Sequence, residues 1–194
     1  MANLPGEIIV EILSRLPVKS LLKFRCVSKQ WCTLISDPQF SKSHLKRASK
    51  DHQRVLLLPL LDQSESVLSF DADCAVVEQI EVPFKGSNFG LTVLGSCNGL
   101  VCLCCRKEMF LWNPSTRAYK RLRKPRFVNY GYFFGGVGYD SSIDDYKVVR
   151  AAVLCYCHDR DGIVVKGSVI RVEVYTLRTN TWKRIDDLNN VNLI

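Results

Sequence analysis

The chain has 194 residues, of which 47% are hydrophobic and 24% are charged, and its formal net charge is +8. This composition is that of an ordinary globular protein and excludes a disordered chain. The longest apolar runs, such as residues 55–61, are too short to span a bilayer. The first residues do not combine a basic stretch with an apolar one, so we expect no signal peptide and no membrane partner, and a location in the cytoplasm, the nucleus or both.

The nine cysteines are numerous for a chain of this length. Without a signal peptide we expect a reducing compartment and therefore free thiols. Cys102 and Cys105 form a C-x-x-C pair, and with Cys155, Cys157 and His158 they leave a zinc site as an alternative. Residues three apart on a strand point to opposite faces, however, and cysteine in an apolar run behaves as a small hydrophobe. We predict core thiols, no metal and no cofactor.

Residues 4–45 show the signals of short helices. Pro5 can open a first helix, whose apolar residues recur at helical spacing until Pro17 ends it. We predict a second helix over residues 18–27 and a third over 29–36 with Ser28 as its N-cap, and Asp37 with the following proline begins a fourth. A core this small cannot hide all of the apolar side chains, so we expect several of them to face a partner.

The same segment is basic, which raises the alternative of a DNA-binding helix-turn-helix. Residues 1–50 carry nine Lys or Arg and three acidic residues. These charges are spread over several helices, and no helix offers the row of Arg, Asn and Gln that reads base edges. We therefore interpret the charges as a solvated face, or as a face that attracts an acidic protein, and expect no nucleic-acid partner.

From Val55 onward the apolar residues alternate with a period of two, which predicts strands separated by turns. Residues 110–122 and 173–185 also form an internal repeat with a constant offset of 63 residues. In the repeat Trp112 aligns with Tyr175 and Tyr119 with Trp182, and a Lys-Arg pair follows the second aromatic residue each time. This pattern predicts two hairpins, each with an aromatic pair that brackets the turn. The predicted fold class is α+β, with helices followed by antiparallel strands.

Residues 7–31, EIIVEILSRLPVKSLLKFRCVSKQW, together with the LP opening and the trailing D-P-x-F, closely resemble the F-box. The resemblance implies a three-helix module over residues 1–45 that docks on a Skp-family adaptor and, through it, on the cullin scaffold of a ubiquitin ligase. It also makes eight residues candidates for contact with the adaptor, and the sequence does not separate those that touch it from those of the internal core: Leu4, Pro5, Ile9, Leu16, Pro17, Val18, Leu21 and Val27.

Four further segments resemble the kelch-like F-box-associated domain that follows many plant F-boxes: GSCNGLVCL (95–103), LWNPSTRAYKRL (111–122), GVGYDSSIDDYKVVR (136–150) and VEVYTLRTNTWKRI (172–185). The resemblance implies a linker over residues 46–54 and a β domain over residues 55–194. A closed propeller needs several blades of about 40–50 residues, so we expect a partial propeller that is incomplete at its C-terminal end.

These observations predict a non-catalytic substrate receptor of a ubiquitin ligase. The glycine-rich residues 135–138 lack the helix that a phosphate-binding loop precedes, and no histidine stands beside a nucleophile pattern. The alternative is a truncated F-box module that binds the adaptor without recruiting a substrate productively. Because loop tips carry function on β scaffolds, we predict the substrate contacts there: Phe84, Phe89, Arg126, Tyr130, Tyr132 and His158.

Overall fold

The computed structural model describes residues 4–51, 54–57, 66–71, 77–83, 91–105, 108–124, 133–157 and 165–189. The chain divides into two compact units. The first consists of Met1–Gly86 and Pro114–Ala118, and the second of Ser87–Asn113 and Tyr119–Ile194.

The first unit begins with four helices: α1 (Gly6–Ser14), α2 (Val18–Phe24), α3 (Lys29–Ser36) and α4 (Pro38–Asp51). Proline stands immediately before α1 and α2, and the predicted cap of α3 is confirmed because Ser28 Oγ accepts a hydrogen bond of 3.1 Å from the Trp31 amide. The Asp37 carboxylate caps α4 by accepting from two backbone amides of its first turn. Helix α2 ends at Phe24, three residues before the predicted end, because residues 25–27 turn towards α3.

The helices share one small core of four buried residues, Leu13, Leu21, Ile35 and Phe40. Leu13 is fully buried, and Trp31 and Phe24 pack at its margin with their ring centroids 5.6 Å apart. His44 of α4 is also buried, and its Nε2 lies 2.8 Å from the carbonyl oxygen of Leu16. This contact satisfies a carbonyl group just beyond the end of α1 and ties α4 to the α1–α2 connection.

A three-stranded antiparallel sheet completes the described part of the first unit, with strands β1 (Arg54–Leu57), β2 (Ser66–Asp71) and β3 (Val77–Glu81) in the order β1-β2-β3. Strands β2 and β3 pair antiparallel, and the buried Val67 lies opposite the buried Ile80. The ammonium of Lys19 on α2 lies 2.5 Å from the carboxylate of Glu78 on β3.

The second unit contains two four-stranded antiparallel sheets. The first has the order β4-β5-β6-β7, and the second the order β11-β10-β9-β8. Their strands are β4 (Thr92–Cys97), β5 (Leu100–Cys105), β6 (Glu108–Trp112), β7 (Tyr119–Arg121), β8 (Phe133–Asp140), β9 (Asp145–Cys157), β10 (Val165–Thr176) and β11 (Thr181–Asn189). Helices followed by antiparallel, propeller-like sheets confirm the predicted fold class.

The core of this unit lies where side chains of both four-stranded sheets meet. Its buried members are Cys102, Cys104, Met109, Leu111, Leu122, Val148 and Tyr175. Strands β4 and β5 are joined by a tight turn that is confined to Asn98 and Gly99. These two residues have φ values of 52° and 75°, a region in which asparagine and glycine are the least strained residues.

The two hairpins of the sequence repeat have the same register. Trp112 lies directly opposite Tyr119, and Tyr175 lies directly opposite Trp182. The turns also match, because Arg117 and Asn180, which are equivalent in the repeat, both have positive φ values of 64° and 56°. The predicted hairpins with bracketing aromatic residues are therefore confirmed.

The prediction of core thiols is confirmed for Cys102, Cys104 and Cys105, which are buried and are not in a disulfide. Burial and the neighbouring Cys104 raise the pKa of Cys102 to about 12, so its thiol stays protonated. Cys102 and Cys105 point to opposite faces of β5, and no group of three metal-ligating side chains occurs among the residues that the structure describes. His158 and the side chains of Cys155 and Cys157 lie outside those residues.

Candidate docking surface

Helix α1 carries apolar residues on its buried side and also on both flanks. Its inner side carries the fully buried Leu13 and the half-buried Ile9. Ile8, Val10 and Ile12 nevertheless leave 46%, 40% and 48% of their surface in solvent. Glu7 and Glu11 occupy the side of α1 opposite Leu13, so the exposed apolar side chains lie on its flanks and form an apolar surface that fits a partner protein.

A groove between α1 and α3 extends this apolar surface. Its volume is about 530 Å³, and it is lined by Gly6, Ile9, Val10, Gln30, Trp31, Thr33, Leu34 and Asp37. The floor is apolar, and polar groups stand at the rim, which is the usual arrangement of a site that receives a hydrophobic side chain. The glycine at the start of α1 contributes no side chain, and a Cβ atom built on it would meet nothing within 4 Å.

The charged side chains near the outer side of α1 are already paired with each other. The Glu11 carboxylate lies 2.5 Å from the guanidinium of Arg15 and 3.2 Å from that of Arg47 on α4. These two guanidinium groups hold the pKa of Glu11 below its ordinary value. Arg47 also donates a hydrogen bond to Ser14, so this polar network ties α1 to α4 and leaves the apolar side chains of α1 uncovered.

The structure separates the eight residues that the resemblance implied as adaptor contacts. Four are exposed: Leu4, Pro5, Pro17 and Val27, with 59% and 61% of the surface of Leu4 and Val27 in solvent. Three are half-buried: Ile9, Leu16 and Val18. Leu21 is 5% exposed and belongs to the helical core, so it supports the surface from beneath. That this set contacts an adaptor stays a prediction.

Residues of the same surface that the sequence reasoning did not select are Ile8, Val10 and Ile12 on α1 and Trp31 and Leu34 in the groove. The signal for α1 was present in the sequence, because two apolar residues in each turn place one on each side of the helix. No comparable signal was available for the groove, since it depends on how α1 and α3 pack.

The six predicted substrate contacts, Phe84, Phe89, Arg126, Tyr130, Tyr132 and His158, lie outside the described residues. They stay predictions. None of the helices in the described part of the chain is both long and apolar enough to cross a membrane.

Comparison with known protein families matches both the helical segment and the strands. Residues 1–43 match the model of the F-box domain, and residues 55–194 match the model of the F-box associated beta propeller domain. The F-box protein CPR1 of Arabidopsis thaliana is 37% identical over 199 residues, which cover 97% of this chain and 46% of that protein. The F-box/kelch-repeat protein At3g23880 of the same organism is 32% identical over 201 residues, which cover 93% of this chain and 51% of that protein.

The chain thus spans about half the length of the curated relatives that it matches. The matched residues include the helices with their exposed apolar surface and the strands of all three sheets. The chain belongs to the family of F-box proteins that carry an F-box associated beta propeller domain.

Proposed function

We propose that this chain is a non-catalytic substrate receptor of a Skp–cullin–F-box ubiquitin ligase, acting in the cytoplasm or the nucleus. The helices dock on a Skp-family adaptor, the adaptor connects the chain to a cullin scaffold, and the β domain holds a protein substrate. The mechanism is proximity: tethering raises the effective concentration of the substrate's lysines near the charged conjugating enzyme.

The observation that carries the proposal is the exposed apolar side of α1 beside an apolar groove. Isolated exposed apolar residues are ordinary on protein surfaces, but Leu4, Ile8 and Ile12 lie close together along one helix and its entry. Covering such a surface stabilises a complex by about 25 cal/mol for each Å² of apolar area removed from water.

Charge supports the same partner. Lys23, Arg25 and Lys29 are exposed at the end of α2 and the start of α3, close in sequence to the exposed Val27. Exposed cations beside an exposed apolar residue favour an acidic adaptor, mainly by raising the rate of association.

The test is co-expression with a Skp-family adaptor followed by gel filtration and titration calorimetry. Val10→Asp is the informative variant, and Val93→Asp on β4 is its matched control, because each valine is 40% exposed. We expect wild type and Val93→Asp to bind equally and Val10→Asp to bind at least about tenfold more weakly, as for a central interface residue.

Circular dichroism of each variant separates loss of docking from loss of folding. Leu13→Ala is the reference variant for a destabilised core, because Leu13 is fully buried. A folded wild-type chain that does not bind the adaptor, or equal binding by the two valine variants, would contradict the proposal.

A further inference from the structure

Helix α4 contacts the connection between α1 and α2 through one buried imidazole. The Nε2 atom of His44 lies 2.8 Å from the carbonyl oxygen of Leu16. A carbonyl oxygen can only accept a hydrogen bond, so Nε2 carries the proton and donates it. His44 is 9% exposed, and a hydrogen bond shielded from water is electrostatically stronger than one in solvent. The contact is therefore suited to fixing the backbone at Leu16.

We call Leu16, Pro17 and Val18 the corner, because they connect α1 to α2. The F-box resemblance makes all three candidates for contact with the adaptor. Pro17 has no amide hydrogen, so the hydrogen-bond ladder of α1 cannot continue through it into α2. The carbonyl group of Leu16 lies at this interruption, where a side chain of another helix can replace the missing helical contacts. The hydrogen bond from His44 thus fixes the part of the docking surface at which helical hydrogen bonding is interrupted.

Contacts before and after His44 along α4 give its imidazole a defined position. Phe40, one turn earlier, belongs to the buried core of the helices, and its ring centroid lies 6.2 Å from that of His44. Arg47, almost one turn later, lies 3.2 Å from the carboxylate of Glu11 and donates a hydrogen bond to Ser14, both on α1. Helix α4 is thus attached to the rest of the helical segment on both sides of His44.

We propose that His44 is a positioning residue for adaptor docking, which holds the corner through the Leu16 carbonyl in the arrangement that the adaptor binds. The inference rests on the docking function proposed above, and it adds a residue beyond 1–43, the range that matches the F-box domain. A surface that is already ordered binds more tightly, because less conformational freedom is lost on association. Removal of the donor leaves the side chains of the corner intact and increases the freedom of its backbone.

Two substitutions separate the hydrogen bond of His44 from the volume of its side chain. His44→Leu fills a similar space without a donor, and His44→Gln keeps an N–H group at about the position of Nε2. Phe40→Leu is the matched control on the same helix, because Phe40 is buried in the helical core and its truncation also lowers stability. Each variant is made in the full chain, and its free energy of unfolding is measured by urea denaturation followed by circular dichroism.

Amide hydrogen exchange of the free chain tests the positioning without an adaptor. The amides of Ser20 and Leu21 donate to the carbonyl oxygen of Pro17, so their exchange reports opening of the corner. We expect this exchange to be at least about fivefold faster in His44→Leu than in wild type, and within about twofold of wild type in His44→Gln. The Cys32 amide, which is hydrogen-bonded within α3, should stay within about twofold of wild type in both variants.

Titration calorimetry with a Skp-family adaptor tests the consequence for docking. We expect His44→Leu to bind at least about fivefold more weakly than wild type, and His44→Gln to bind within about twofold of it. Phe40→Leu should also bind within about twofold of wild type, under conditions in which every variant is folded, even though its core is destabilised. A purely structural role of His44 would instead make affinity follow the free energy of unfolding.

Unchanged exchange at the corner in His44→Leu would overturn the proposal, and so would an equal acceleration at Cys32, which indicates general destabilisation. An equal loss of adaptor binding in Phe40→Leu, or no recovery in His44→Gln, would also overturn it. Failure of wild type to bind the adaptor would overturn the function proposed above together with the docking role of His44. Equal binding by wild type and His44→Leu would overturn the docking role of His44 alone.

Discussion

The buried ion pair between Arg150 and Glu173 leads to the sharpest prediction about stability. The two residues lie directly opposite each other on β9 and β10, with 3.7 Å between Nη1 and Oε2. Their side chains are only 8% and 6% exposed, so water screens the pair weakly. Burial lowers the pKa of Arg150, while the carboxylate of Glu173 opposes that shift.

Glu173→Gln keeps the size of the side chain and removes its charge. At this separation the lost attraction is about 4 kcal/mol for an effective dielectric constant of about 20. Removal of one partner from a buried pair costs about 3–5 kcal/mol, because an uncompensated charge remains. We therefore expect Glu173→Gln to lower the free energy of unfolding by about 3 kcal/mol, as measured by urea denaturation followed by circular dichroism.

The double variant Arg150→Met, Glu173→Met tests whether removal of both charges restores the stability that Glu173→Gln loses. Replacing both charges with apolar side chains leaves no buried charge, so we expect its stability to return to within about 1–2 kcal/mol of wild type. Glu11→Gln is the surface control, because Glu11 pairs with Arg15 in solvent and exposed pairs contribute little. A loss below about 1 kcal/mol for Glu173→Gln, or a double variant that is no more stable than Glu173→Gln, would refute the reasoning.

Two further predictions concern β8 and the turn that follows it. A Cβ atom at Gly135 would lie 2.5 Å from the carbonyl oxygen of Val149, whereas one at Gly138 would meet nothing within 4 Å. Gly135→Ala should therefore lower the free energy of unfolding by about 1–3 kcal/mol more than Gly138→Ala in the same urea assay, and equal effects would contradict this. Hydrogen bonds from Lys147 and from the hydroxyl of Ser142 lower the pKa of Asp140 to about 2. The charged Asp140 therefore stabilises the folded state above about pH 4, and this contribution is lost as the pH falls through 2. Thermal melts of wild type and Asp140→Asn should differ at pH 7 and converge near pH 2, and a constant difference would argue against this role.

The helices were predictable because their signals are local. A proline before α1 and α2, a serine before α3 and an aspartate before α4 each act within one helical turn. Which apolar residues of these helices are buried and which are exposed was not predictable to the same degree. Leu21 is buried and Leu4 is exposed, and the spacing of apolar residues cannot distinguish these outcomes, since both serve hydrophobic packing.

The repeat was predictable for the same local reason, since aromatic residues and turn residues recur at a fixed offset. Where the repeat places its basic residues in the folded chain was not predictable. Lys183 and Arg123 are far apart in the sequence, and the hydrogen bond from Trp182 to Arg123 brings their segments together. A pattern shows that basic residues recur, but not that they form one surface.

The sequence by itself determined the family, the order of helices and strands, the register of the paired hairpins and the burial of the thiols of β5, because periodicity, caps and turn residues act over a few neighbouring positions. The tertiary structure alone decided which apolar residues of α1 stay exposed and which groove they border. It also decided that Arg150 and Glu173 are buried together, although a charged residue in a sequence is ordinarily solvated. These properties depend on distances between residues remote in the chain, which packing sets and no local pattern contains.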